Sequence, residues 1–160
     1  MKNYKKCKNY KCENTGDFPE LVIPPEYIKK TLRFKDSDVL HINIKYPDIK
    51  IMPSVLYKKA GVKINGFYLS AVKKFVNFCE KKLYKSAALD SVSLAENFKP
   101  FGAVVTYEVA YNQQDYLCVY LDINIYSGKG RGNNIRKAHI WKLSEKSIEL
   151  LPPGKHIKDA

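Results

Sequence analysis

Acyl or glycosyl chemistry needs a nucleophile or an acid held beside a base, and the residues of this 160-residue chain that qualify are few and far apart. No G-x-S-x-G elbow is present, and the three histidines lie on an alternating strand (His41), on another strand (His139) and in the chain's tail (His156). His139 shares its alternation with Ile135 and Trp141, the setting of a satisfied, half-buried histidine rather than of a general base. Glu108 and Asp122 are the carboxylates that would face each other across a hairpin, as glycoside chemistry requires. On the solvent face of a sheet in a lysine-rich chain they read instead as cross-strand charge partners. A structural zinc takes four ligands, and Cys7 and Cys12 have no histidine near them in sequence, so neither metal nor cofactor is expected. Those two cysteines stay open between a disulfide and two free thiols; Cys79 and Cys118 sit among apolar neighbours, where a thiol serves as a small hydrophobe. The chain therefore reads as a non-enzyme.

The most informative local pattern is Ser127-Gly-Lys-Gly-Arg-Gly132. Gly128, Gly130 and Gly132 allow positive φ at several places, while Lys129 and Arg131 offer charge to an anion held by backbone N–H groups. With Tyr126 before it and Arg136 and Lys137 after it, the cluster makes a candidate ligand-binding set: Tyr126, Ser127, Gly128, Lys129, Gly130, Arg131, Gly132, Arg136 and Lys137. A wide hairpin loop that uses glycine for backbone freedom explains the pattern equally well. It is neither a P-loop nor a dinucleotide fingerprint, because a strand rather than a helix follows. Tyr107, Tyr111, Tyr120, Tyr126 and Trp141 would supply stacking platforms, although about half of them must be core because they fall on both phases of their strands.

The elements that must position these residues follow from periodicity. Leu21 to Pro25 is extended and barred by proline from a central strand, and Leu32-Arg-Phe continues it to a turn at Lys35–Asp38. Leu40, Ile42 and Ile44 alternate with His41, Asn43 and Lys45 in a strand that Pro47 ends. Between Leu56 and Leu83 the apolar spacing changes to three and four, predicting an amphipathic helix, and Ser86–Phe98 continues it until Pro100 and Gly102 close it. Period two then returns: Val105, Tyr107, Val109 and Tyr111 share a face, a polar turn follows at Asn112–Asp115, and strands run from Leu117 to Ile125 and from Ile135 to Leu143, with Ile148–Leu151 adding a short piece. The fold class is α+β: a long amphipathic helix packed on an antiparallel sheet, in the order strand, helix, three-stranded meander. Residues 1–18 read as a flexible basic tail, 19–152 as a single domain and 153–160 as a second tail.

With 45% hydrophobic residues the chain can bury a core, which rules out wholesale disorder, and no run approaches the roughly 20 apolar residues of a membrane span. Lys+Arg outnumber Asp+Glu by 28 to 16, a net charge of +12 that attracts nucleic acid, acidic wall polymer or anionic lipid alike. The helix's outward face, with Lys63, Lys73, Lys74, Lys81, Lys82 and Lys85 against Glu80, concentrates that charge.

Tyr107-Glu-Val-Ala-Tyr-Asn112, Leu117-Cys-Val-Tyr-Leu-Asp122, Ile125-Tyr-Ser-Gly-Lys-Gly-Arg-Gly-Asn133 and Arg136-Lys-Ala-His-Ile-Trp-Lys-Leu143 resemble the domain family found at the N-terminus of the peptidoglycan deacetylase PdaC, also present in lysozyme-sensing anti-sigma factors and other Gram-positive envelope proteins. Upstream, Ile44-Lys-Tyr-Pro-Asp-Ile49 and Val62-Lys-Ile-Asn65 are similar to its Y-P-x-I strand and K-x-I-N helix start, so the resemblance spans about residues 39–150. The family's Y-[ST]-G-G-A-H-G falls on Tyr126 to Gly132, where Lys129, Gly130 and Arg131 replace Gly, Ala and His. The resemblance implies a binding or sensing module with no catalytic residues to transfer. It also implies an extracytoplasmic location for a chain beginning after its targeting segment, since no signal peptide is visible, and an anionic wall polymer or an envelope protein as partner. The alternative is a small basic cytosolic nucleic-acid-binding protein, although no RNA-recognition, KH or zinc-finger signature is present.

Overall fold

The computed structural model describes residues 21–50, 55–113, 115–128, 132–144 and 147–152. Strands β1 (Pro25–Phe34) and β2 (Ser37–Pro47) form a hairpin whose turn holds Lys35 at φ 54°. A helical rod follows, comprising α1 (Val55–Phe78), a π-helical turn (Cys79–Leu83) and α2 (Tyr84–Leu94). Strands β3 (Phe101–Gln113), β4 (Tyr116–Tyr126), β5 (Asn133–Leu143) and β6 (Ile148–Leu151) complete a six-stranded sheet in sequential order. All neighbours are antiparallel except β2 and β3, where Leu40, Ile42 and Ile44 pair in parallel with Phe101, Ala103 and Val105. That exception is forced, because a chain that leaves one strand and returns through a long helix re-enters beside it in the same direction.

The α+β class and the long helix on a largely antiparallel sheet are as the periodicity predicts. The differences are physical. The extended piece before the first turn is a full edge strand with Pro25 at its first position, where no ladder hydrogen bond is lost. The α-helix ends at Leu94, with Ala95 at φ 45°, and a 3-10 turn at Ala95–Asn97 carries helical structure to the expected Phe98; Gly102 lies inside β3 rather than closing the helix. An irregularity between Val109 and Tyr111 inserts Ala110, so Tyr111 pairs with Cys118 and departs from the face of Val105 and Val109. The basic tail, Cys7, Cys12 and His156 lie outside the described residues.

One stripe of the helix meets the sheet. Ala60, Ile64, Tyr68, Val72 and Val76 are buried and recur every four residues, then Cys79, Leu83 and Ala87 continue the line. A strict four-residue repeat overshoots a helical turn by about 40° each time, so the stripe rotates away from a flat partner. A shortened step to Cys79 and the wide turn at Cys79–Leu83 correct the drift and return Leu83 and Ala87 to the sheet. At the other end of the rod Phe67 and Tyr68 pack edge-on against Trp141, whose Nε1 donates to the Tyr68 hydroxyl at 3.3 Å.

Two asparagines fasten the flanks. Asn65 accepts from Ile49 N at 2.8 Å and donates to Ile49 O at 2.9 Å, and Asn112 makes the same pair with Leu21 at 3.1 and 2.7 Å. Each amide stands in for a missing strand. Tyr107 adds a bond from its hydroxyl to Ile23 O at 3.0 Å.

Inserting an alanine after Lys82, in the exposed part of the wide turn, rotates everything downstream by about 100° and swings Leu83 and Ala87 off the sheet. The insertion is expected to lower stability in urea by roughly 2–5 kcal/mol, whereas Lys82→Ala stays within about 0.5 kcal/mol.

Candidate functional site

The helix covers one face of the sheet, and strand alternation leaves the other face to polar and aromatic side chains. Paired residues share a face, so the register defines its rows: Thr31 with His41, His41 with Gly102, and Gly102 with Tyr126. The next row runs Lys29, Asn43, Val104, Asn124 and Asn134, across all five strands from β1 to β5. Within these rows Thr31 Oγ1 and His41 Nδ1 lie 3.2 Å apart, and the Asn124 amide donates to Asn134. The result is a strip of polar side chains, interrupted at β3 by Gly102 and Val104, that ends at the tyrosine opening the glycine connection.

Tyr126 is the last residue of β4, and its hydroxyl reaches Gly128 O at 3.4 Å. Gly128 is at φ 73°, and a Cβ there would come within 2.8 Å of Lys99 O. Gly132 approaches Asn124 Oδ1 and Ile125 O equally closely, each 3.1 Å from where its Cβ would stand. Gly128 is thus required for the close backbone approach to the segment preceding β3, while Gly132 fits tightly against β4. Ser127 is exposed; Lys129, Gly130 and Arg131 lie outside the described residues.

The two basic residues downstream do not act together. Arg136 lies on the uncovered face, where its Nε and Nη2 donate to the two Asp122 oxygens at 2.6 Å each. The guanidinium also sits 3.8 Å from Glu108 and 5.1 Å from the centre of the Tyr120 ring. These hydrogen bonds hold the Asp122 carboxyl below its usual range against an opposing effect of burial. Lys137, one residue on, points to the opposite face beside Leu121. Glu108 and Asp122 are therefore partners of a shared cation, as cross-strand pairing predicts. Trp141 and the half-buried Tyr107 are core or clamp residues, which leaves Tyr111, Tyr120 and Tyr126 of the expected platforms on the uncovered face.

His139 is half-buried as its phase predicts, enclosed by Phe67 at 5.1 Å and Tyr68 at 5.6 Å between ring centres. It is not satisfied, however: its Nδ1 is buried and has no hydrogen-bond partner among the described residues. Burial, and secondarily Lys137, holds its pKa below the usual histidine value. Buried Cys79 is likewise held protonated, its thiol pushed up to about 11 by burial and Glu80. Sequence reasoning missed Thr31, Asn43, Asn124 and Asn134, and placed His41 only on an alternating strand. Their alternation was visible, but their common row depends on the β2–β3 register, which no local pattern fixes.

Because the folded state keeps His139 neutral below the pH at which the unfolded chain takes up a proton, its contribution is complete above about pH 6.5 and declines as pH falls. Urea titrations between pH 5 and 7 should show stability rising with pH by up to about 1.4 kcal/mol per unit from this group, and His139→Phe should flatten that slope. Gly128→Ala, which combines positive φ with the Lys99 contact, is expected to destabilise by roughly 1–3 kcal/mol. Gly66→Ala, in open space on the helix, should instead stabilise by about 0.5–1 kcal/mol.

Comparison with known proteins gives the fold and the family. A member of the DUF3298 family from Bacteroides fragilis superposes with a TM-score of 0.53 at 14% identity, covering 80% of this chain and 58% of its own. A DUF3298 family protein from Pseudomonas aeruginosa gives 0.45 at 12% identity, covering 87% of this chain and 61% of its own. This chain thus spans less than two thirds of the length of either structure. No curated protein matches. A family profile described as "Deacetylase PdaC" matches residues 34–134, from the end of β1 through the glycine connection to the start of β5; the chain belongs to that family.

Proposed function

We propose that this chain is the non-catalytic binding or sensing part of a Gram-positive cell-envelope protein, and that its uncovered sheet face and glycine connection contact a wall polymer or an envelope protein. The observation that carries this reading is the strip of Thr31, His41, Asn43, Asn124, Asn134 and Tyr126, which sets hydrogen-bonding groups on two pairs of neighbouring strands, β1–β2 and β4–β5, about 4.8 Å apart within each pair and bridged by Gly102 and Val104 of β3. Such spacing suits an extended polymer laid across the strands, with the tyrosine ring as an apolar stop for a sugar face. The family description names a deacetylase, and the binding reading gives the chain the task of holding the polymer on which such an enzyme acts. Of the two kinds of partner, the polymer is favoured by charge. At a net +12 the protein repels basic partners such as lysozymes during encounter and attracts an anionic wall. The location that goes with this reading is extracytoplasmic.

Co-sedimentation of the purified protein with insoluble Gram-positive walls, with and without teichoic acids, is the direct test. Retention at physiological salt is expected, with Tyr126→Ala and the Asn124→Ala, Asn134→Ala pair each lowering it about tenfold. Protein left in the supernatant at both low and physiological salt overturns wall binding. If such a protein binds single-stranded oligonucleotide with a steep salt dependence, the nucleic-acid reading replaces it.

A further inference from the structure

We propose that the outward face of the helical rod, a different surface from the sheet strip, docks on an anionic membrane surface. The rod carries eight lysines against two acids. Of those acids, Glu80 is spent on Lys30 of β1 at 2.7 Å, and Asp90 is half-buried. Lys73, Lys74, Lys81, Lys82 and Lys85 are all exposed, and no described carboxylate lies within ion-pair distance of any of them. The strands are closer to balance, with seven Lys and Arg against five Asp and Glu, and Lys30, Arg33 and Arg136 each have a carboxylate partner. Uncompensated positive charge is therefore concentrated on the rod.

Charge alone would suit any polyanion; the apolar groups among the lysines choose between them. Lys81, Lys85 and Leu89 follow one another at four-residue steps with Val92 three further on, and Lys74, Phe78 and Lys82 form the adjacent line. Leu89 is 61% exposed, Val92 62% and Phe78 38%. Leu89 and Val92 border an open groove of about 310 Å³ completed by Phe34, Tyr84, Lys85 and Ala88. Lys35 stands at its edge, 5.6 Å from the Phe34 ring centre. A hydrophilic polyanion leaves those side chains in water. An anionic bilayer takes both, with lysines at the headgroups and Leu89, Val92 and the groove at the acyl boundary. No helix among the described residues is long and apolar enough to cross a membrane, so the rod would lie on the surface.

The test is sedimentation of the full chain with vesicles of phosphatidylcholine alone or mixed with phosphatidylglycerol, beside binding to soluble polyphosphate. Binding to the mixed vesicles only is expected. Lys81→Glu with Lys85→Glu should weaken it by at least about 25-fold, some fivefold for each lysine. Leu89→Ser with Val92→Ser should weaken vesicle binding about tenfold while leaving polyphosphate binding and the urea midpoint unchanged. Absence of binding to the mixed vesicles overturns the proposal. So does vesicle affinity that ignores the Leu89 and Val92 changes, which would make the rod a general polyanion surface. Wall retention through the sheet strip is indifferent to either result.

Discussion

Everything in this fold follows from one constraint: a single helical rod must bury one face of a six-stranded sheet. It does so with one stripe, Ala60 to Ala87, and the stripe stays aimed only because the wide turn at Cys79–Leu83 takes up the angle that a four-residue repeat accumulates. The rod's N-terminal half meets β5 through Phe67 and Tyr68, with Lys63 donating to Ile148 O of β6. Its C-terminal half reaches β1, where Glu80 pairs with Lys30 and the Tyr84 hydroxyl donates to Arg33 O. Spanning the sheet between these contacts uses up the one helical rod among the described residues. No described helix covers the opposite sheet face or the outward side of the rod.

The parts of this arrangement that repeat locally were legible in the sequence. Alternation marks β2, β4 and β5, the spacing of three and four marks the rod, and Pro47 marks the end of β2. What was not legible rests on contacts between distant segments. The parallel pairing of β2 with β3 is settled by how the rod folds back, not by either strand, and with it the rows that join His41 and Asn43 to Tyr126 and Asn124. The inserted Ala110 is invisible to a count of alternating residues, yet it moves Tyr111 to the other side. Asn65 and Asn112 each stand in one of the six segments that carry the family resemblance. In sequence they are ordinary polar positions, and only the fold shows each amide closing the backbone of a segment 16 or 91 residues away.

The site was legible in outline only. Sequence placed Glu108 and Asp122 across a hairpin and read them as charge partners, and Arg136 is the partner they share. Grouping Arg136 with Lys137 ignored the period of the strand they occupy, since consecutive residues of a strand cannot serve one face. His139 shows the limit of reading burial from phase: phase gives the half-buried position correctly, but a partner for Nδ1 depends on what the rod presents, and the rod presents aromatic rings.

The two uncovered surfaces differ in kind. On the sheet, the strip from Lys29 and Thr31 to Asn134 is mostly neutral, and the Arg136 guanidinium beside it is matched by carboxylates, so little long-range field remains and recognition there must come from hydrogen-bond direction and ring contact. On the rod, five lysines without carboxylate partners among the described residues project a field that decays over about 8 Å at physiological salt. The sheet can therefore discriminate between polymers of equal charge but does little to gather them from a distance. The rod does the reverse, drawing the molecule toward an anionic surface with little regard for its chemistry. Because the rod covers one face of the sheet and the strip occupies the other, an anionic surface held by the lysines leaves the strip facing away, free to engage a polymer on the far side.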